Sequence, residues 1–218
     1  MVDSSQLIAA IRFADSAFPS GGFAFSSGLE GAHRDGLVLD DADVTAFVGE
    51  QLDGRWHRGD RVILRRAWAA ADPADADRLA EASATMSVLR EASRRAGAAT
   101  LATFAAFTDG VAGYRARVLT GEVPGHLPVA QALCLRASGL TRDTAEAVTA
   151  WQVIAGITGA ALRLGICGHL GAQRIHTDLT PTLVDVLRRE PPSMPAPFTA
   201  FADIAAQRRT SGVRMFAS

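Results

Sequence analysis

Apolar residues recur every three or four positions along most of this chain, the spacing of one face of an α-helix. Gln6 to Phe13 predicts a short helix packed by Leu7, Ile8, Ile11 and Phe13. A helical turn is expected over 28–35, stopped at Gly36. From Asp40 to Gly59, Val44, Phe47, Val48, Leu52 and Trp56 keep helical spacing behind acidic residues suited to a cap and first turn. The pattern continues over 60–71 with Val62, Ile63, Leu64 and Trp68. Asp72-Pro73 is a cap followed by proline at the first helical position, opening a helix to about Thr85. Met86 to Phe107 predicts a long helix, nearly uncharged and buried in its second half, whereas Gly121, Pro124 and Gly125 mark 113–127 as irregular. Pro128 to Ala137 predicts a short helix, and Thr141 or Thr144 caps the next, which reaches Leu164. Between Ala147 and Leu162 that helix is apolar on every side, as a central buried helix would be, with Gly156, Gly159 and Ala160 leaving room for a neighbour. Helix, kink and helix are expected over 163–175, and Thr180-Pro181 predicts another start. No stretch shows sustained alternation, a hairpin dipeptide or a fixed repeat. The fold class is all-α: a single-domain bundle of about 8–10 helices over 1–190. A Pro-rich linker and C-terminal docking segment, 191–218, belong to the same domain.

Two stretches break the helical rhythm. Between Ala14 and Glu30, Pro19, Gly21, Gly22 and Gly28 forbid a continuous helix, yet Phe13, Phe18, Phe23 and Phe25 bring four of the ten phenylalanines to this region. A surface loop is ordinarily polar, so this one is either folded into the core or a docking surface. The second stretch, Pro191 to Pro197, holds four of the nine prolines and is a stiff extended linker. Beyond it lie one short helix and an apolar tip, Val213-Arg214-Met215-Phe216, which packs in cis, docks a partner, or does both.

Composition narrows the picture. The 218 residues carry a net charge of −1 and are 48% hydrophobic, which argues for a globular chain and against a general nucleic-acid or anionic-membrane binder. Every one of the 22 basic residues is arginine. Two cysteines are too few for a disulfide framework, no signal peptide is visible, and the longest apolar run falls short of a bilayer span. A cytoplasmic protein is the default expectation.

Catalytic patterns are missing. Without lysine there is no P-loop, and no Gly-x-Ser-x-Gly elbow or carboxylate dyad stands out. His33 and His57 are expected on helix surfaces. Cys167-Gly168-His169, with His176, is the best metal-like cluster, since thiolate and imidazole suit zinc or nickel. A buried small hydrophobe is the favoured role for Cys167. No cofactor, catalytic residue or resident metal site is assigned.

The opening stretch resembles the signature of the F-type urease accessory proteins (UreF). Asp15-Ser16, then Phe18-Pro19-Ser20-Gly21-Gly22-Phe23, then Ser27-Gly28-Leu29-Glu30 match its Asp-Ser, Phe/Leu-Pro-x-Gly-Gly/Ser-aromatic and Ser-x-Gly-Leu-Glu elements. The likeness continues through Glu91 to Gly97, Ala161 to Gly168 with Gln173, and the ending Arg214-Met215-Phe216-Ala217-Ser218. Phe25, His169 and Gln207-Arg208-Arg209 depart from the pattern. The resemblance implies an all-helical, homodimeric chaperone and not an enzyme. It would bridge the D- or H-type accessory protein and the G-type GTPase so that nickel enters apo-urease. The residues expected to bind partners are Phe18, Pro19, Gly21, Gly22, Phe23, Ser27, Gly28 and Glu30, with Arg214, Met215 and Phe216 in the tail. The alternative expectation is direct nickel binding by Cys167, His169 and His176.

Overall fold

A computed structural model describes residues 3–19 and 26–207. It is all-helical, with no strand among the described residues. In order come α1 (Ser4–Ala14), α2 (Leu29–Arg34), α3 (Asp41–Glu50), a π-helix (Gln51–Asp60), α4 (Arg61–Ala69), α5 (Ala74–Ser83), α6 (Ser87–Phe104), a 3₁₀ turn (Asp109–Val111), α7 (Ala112–Leu119), α8 (Leu127–Ala137), α9 (Arg142–Leu164), α10 (His169–Arg188) and α11 (Ala200–Gln207).

Most of the predicted caps form. Asp40 accepts a hydrogen bond from the Asp43 amide at 3.0 Å. Asp72 accepts from the Ala74 amide at 3.0 Å, but the helix begins one residue later than expected, with Pro73 at the cap position, and stops at Ser83. Thr141 caps α9, and Gly165 ends it in the left-handed conformation at φ 75°. From Asp41 to Ala69 the chain is one helical rod whose middle ten residues are wound as a π-helix rather than the expected α-helix.

Two apolar clusters make the core. One joins α1, α4–α8 and the start of α9 around Phe13, Ile63, Leu101, Phe104 and Leu133. The other joins α2, α3, the π-helix, the rest of α9, α10 and α11 around Leu29, Leu52, Trp56, Ile154 and Ile175. The Asp41–Ala69 rod and α9 each contribute to both, and so tie the halves together.

Four expectations are corrected. In α1 only Phe13 is buried (3% exposed), while Leu7, Ile8 and Ile11 are 51%, 66% and 63% exposed. The helix turns its three-residue apolar face outward because Phe13 is captured by Phe18, Phe104 and Phe107. The 113–127 stretch begins with α7, anchored by buried Val111 and Tyr114, before the Gly121 turn. Pro181 does not start a helix; it lies inside continuous α10. It lacks the amide that would bond back into the helix, but it is exposed, and buried Ile175, Leu179 and Val186 hold the helix on either side. Lastly, α9 is apolar all round yet not covered all round. Ala160 is buried, but Gly156 is exposed, and among the described residues no other element comes within 4 Å of a Cβ built there.

Candidate assembly surface

The opening stretch is fastened at its described ends. After α1, Phe18 packs edge-on against Phe13, with centroids 5.3 Å apart, and against Phe104 at 5.2 Å. Phe107 completes a four-ring cluster, each such pair adding about 0.5–1.5 kcal/mol beyond its buried area. Pro19 is exposed, and its carbonyl accepts a 2.7 Å hydrogen bond from the Thr103 hydroxyl of α6. Where description resumes, Ser26 is fully buried. Ser27 and Gly28 are both left-handed, at φ 53° and 89°, which turns the chain sharply into α2. For Ser27 that conformation costs about 1–2 kcal/mol, so the surrounding packing must hold it. Leu29 is fully buried, and half-buried Glu30 lies 3.7 Å from the Arg34 guanidinium.

The C-terminal helix lies directly on this turn. A Cβ on Gly28 would stand 2.5 Å from the Ala202 carbonyl oxygen, and one on Gly31 would collide with the carbonyl of Ala205. Only glycine at both positions lets α11 descend onto α2 with Ala202 and Ala205 buried. Asp203 holds the start of α11: its carboxylate accepts from the Thr199 amide at 3.2 Å and from the Thr199 hydroxyl at 3.4 Å, while the Thr199 carbonyl accepts the first helical bond from the Asp203 amide at 2.9 Å. The structure therefore places Ser27, Gly28 and Glu30 beside the element that leads to the tail, and Phe18 and Pro19 beside α6. Gly21, Gly22, Phe23, Arg214, Met215 and Phe216 lie outside the described residues.

The metal-like cluster does not assemble. Cys167 is buried, and burial with nearby Asp41 raises its thiol pKa. His169 is exposed, and His176 is half-buried with its ring 5.0 Å from that of Trp151 and its pKa lowered by burial. No group of three His, Cys, Asp or Glu side chains able to hold a metal exists among the described residues.

Sequence reasoning missed three polar arrangements. Arg61, 1% exposed, donates to Glu146 at 2.7 Å and to the carbonyls of Val186 (2.8 Å), Leu187 (2.8 Å) and Arg189 (2.9 Å), so it caps the end of α10. Arg65 gives Glu146 a second cation at 2.6 Å. His57, expected at the surface, is buried, and its Nδ1 accepts from Arg61 at 3.1 Å; burial and then the Arg61 charge lower its pKa. Asp77, fully buried, accepts from Tyr114 Oη at 2.6 Å and from the amides of Gly125 (2.7 Å) and His126 (2.9 Å). The Glu91–Gly97 segment serves the same loop. Ser93 Oγ lies 3.1 Å from His126 Nδ1 and accepts from the Leu127 amide at 3.2 Å, while Gly97 leaves the space that the Gly125 carbonyl fills. A lone Glu at position 146 within an otherwise apolar helical face was the available signal for the first arrangement; Asp77 carried none.

The fold and this surface define an all-helical protein whose recognisable motifs build packing surfaces. Comparison with known proteins agrees. The UreF family model matches residues 38–180. The urease accessory protein UreF of Azoarcus sp. (strain BH72) is 31% identical over 225 aligned positions, covering 97% of this chain and 95% of the relative. Those of Rhizobium leguminosarum bv. viciae and Cereibacter sphaeroides (strain ATCC 17025 / ATH 2.4.3) are each 31% identical, covering 93% and 98% of this chain and 92% and 99% of their own. The chain belongs to the UreF family.

Proposed function

We propose that this protein is a scaffold of urease maturation: a homodimer in the cytoplasm that bridges the D- or H-type accessory protein and the G-type GTPase, promoting nickel insertion into apo-urease. Membership of the UreF family supports the process. Within the molecule, the observation that carries the reading is the seating of α11 on Gly28 and Gly31, which brings the opening motif and the origin of the tail to one surface. Such a surface, with no catalytic constellation assigned to it, suits recognition. In this reading Phe18 and the glycines shape the platform, and Arg214, Met215 and Phe216 reach the D- or H-type partner. Residues 1–190 form the body, and 191–218 present the docking segment.

The test removes Met215 to Ser218 and measures co-purification with the D- or H-type partner. A buried phenylalanine anchor is expected to contribute about 2–4 kcal/mol, so capture should fall by more than tenfold. Undiminished capture by a well-folded truncated protein would refute the tail's role.

A further inference from the structure

Between α10 and α11 the chain crosses the π-helix; the spacing of the glycines beneath the crossing matches the π winding, and backbone hydrogen bonds fasten the segment there. In a π-helix, closed by i→i+5 hydrogen bonds, residues four or five apart lie on nearly the same face. Gly54 and Gly59 are five apart, and both lie under the crossing segment. In an α-helix of 3.6 residues per turn the same two positions would be rotated by about 140°, and only one could face it. A Cβ on Gly54 would stand 2.7 Å from the Phe198 carbonyl oxygen, and one on Gly59 would stand 2.5 Å from Pro197 Cβ. The fastening is by hydrogen bonds. The Phe198 amide donates to the Gly54 carbonyl at 3.2 Å, and the Ala196 amide donates to the Arg58 carbonyl at 2.8 Å. Ala196 and Phe198, two apart on the crossing segment, thus meet carbonyls four apart on the helix. One turn on, Gln51 Nε2 donates to Thr199 Oγ1 at 3.0 Å, at the cap of α11.

We propose that the π-helix is a seat shaped for residues 196–198, and that Gly54 and Gly59 act as positioning residues. Through the seated segment they set where α11 begins, and so, on the function proposed above, where the docking segment starts. Glycine is costly in a helix interior, so two glycines in one ten-residue helix need a local reason, and the crossing segment supplies it. Arg189, at the start of the crossing, donates to Asp53 on the same π-helix at 2.5 Å, so the approach is fixed as well as the landing. The seat stands on geometry alone; its link to partner capture rests on the function proposed above.

The experiment uses the full chain with Gly54→Ala and Gly59→Ala, singly and together, and reads amide hydrogen exchange, melting temperature and capture of the D- or H-type partner. An unoccupied helical glycine gains stability on becoming alanine, whereas alanine in place of Gly54 or Gly59 would expel the crossing segment. The expected result is at least a tenfold loss of protection at the Ala196 and Phe198 amides, with α8 and α9 unchanged, and reduced partner capture. Combining Gly59→Ala with Pro197→Gly, which removes the opposing Cβ, should restore protection at 196 and 198. Unchanged protection in the alanine variants, or loss spread evenly over α8 and α9, would overturn the seat. Loss at 196 and 198 with undiminished capture would overturn the positioning role; if the tail truncation also left capture intact, the tail's role in the proposed function would fall with it.

Discussion

Arg61 and the pair Gly54–Gly59 fasten passing chain to one helical rod by opposite means. Arg61 does it with a side chain, a buried guanidinium reaching three carbonyls at the end of α10 while Glu146 balances its charge. The glycines do it by having no side chain, so that backbone meets backbone. The two fastenings follow one another along the chain, Arg61 holding 186–189 and the glycines 196–198. The first depends on charge and desolvation and fails badly when one partner is lost. The second depends on shape and fails only when something is added. A molecule that must hold its body firmly and present its end in a defined place can use both.

The largest effect should follow from breaking the side-chain fastening. Arg61→Met leaves Glu146 buried with Arg65 and the half-exposed Arg142 at 3.5 Å, and strips the cap from α10, at a cost of about 3–5 kcal/mol. Urea unfolding should show this as a lower midpoint. A change under 1 kcal/mol would mean that the carbonyls and Glu146 find other partners, and the contrast with the glycines would weaken.

A smaller effect is expected at Asp60, the last residue of the π-helix, which lines a cavity of about 50 Å³ beside Pro197 and Phe198. Burial raises its carboxyl pKa above 3.8, against the opposing pull of Arg55 and His126. A raised pKa means that the folded state holds this proton longer than the unfolded chain does. Its contribution therefore favours folding most below the unfolded pKa and is lost as pH rises through the folded value. Asp60→Asn should accordingly be more stable than the parent at pH 7, with the advantage shrinking as pH falls toward 3.8. An advantage that stays constant with pH, measured by chemical unfolding at several pH values, would refute the assignment.

The smallest effect sharpens the glycine half of the comparison. Gly156 is helical, and a Cβ there meets nothing within 4 Å. Gly156→Ala should raise stability by up to about 1 kcal/mol, opposite in sense to the release of the crossing segment expected at Gly54 and Gly59. A loss of stability that grows with protein concentration would show that a second copy covers this face.

Much of the helical framework was legible because it rests on local chemistry. Asp40, Asp72 and Thr141 accept from nearby amides wherever the chain is, and Trp56 and Leu52 repeat at helical spacing. The misreadings came where local and distant forces disagreed. Leu7, Ile8 and Ile11 form a credible buried face, but one helix can turn only one side inward, and the ring cluster claims Phe13. Pro181 is a sound helix start by local rules and was overruled by the buried residues on either side of it. In the candidate surface, the Phe18-Pro19 and Ser27-Gly28 motifs stood out as residues, but the identity of the neighbour of Gly28 did not.

Chain chemistry alone settled the all-helical class, most of the caps and the likeness to UreF. These depend on residues within a few positions of one another, or on their order. The meeting of Gly28 and Gly31 with α11, the π winding under Pro197 and the burial of Arg61 with Glu146 were settled by packing. Each joins segments more than eighty residues apart, and a missing side chain records that something comes close without recording what.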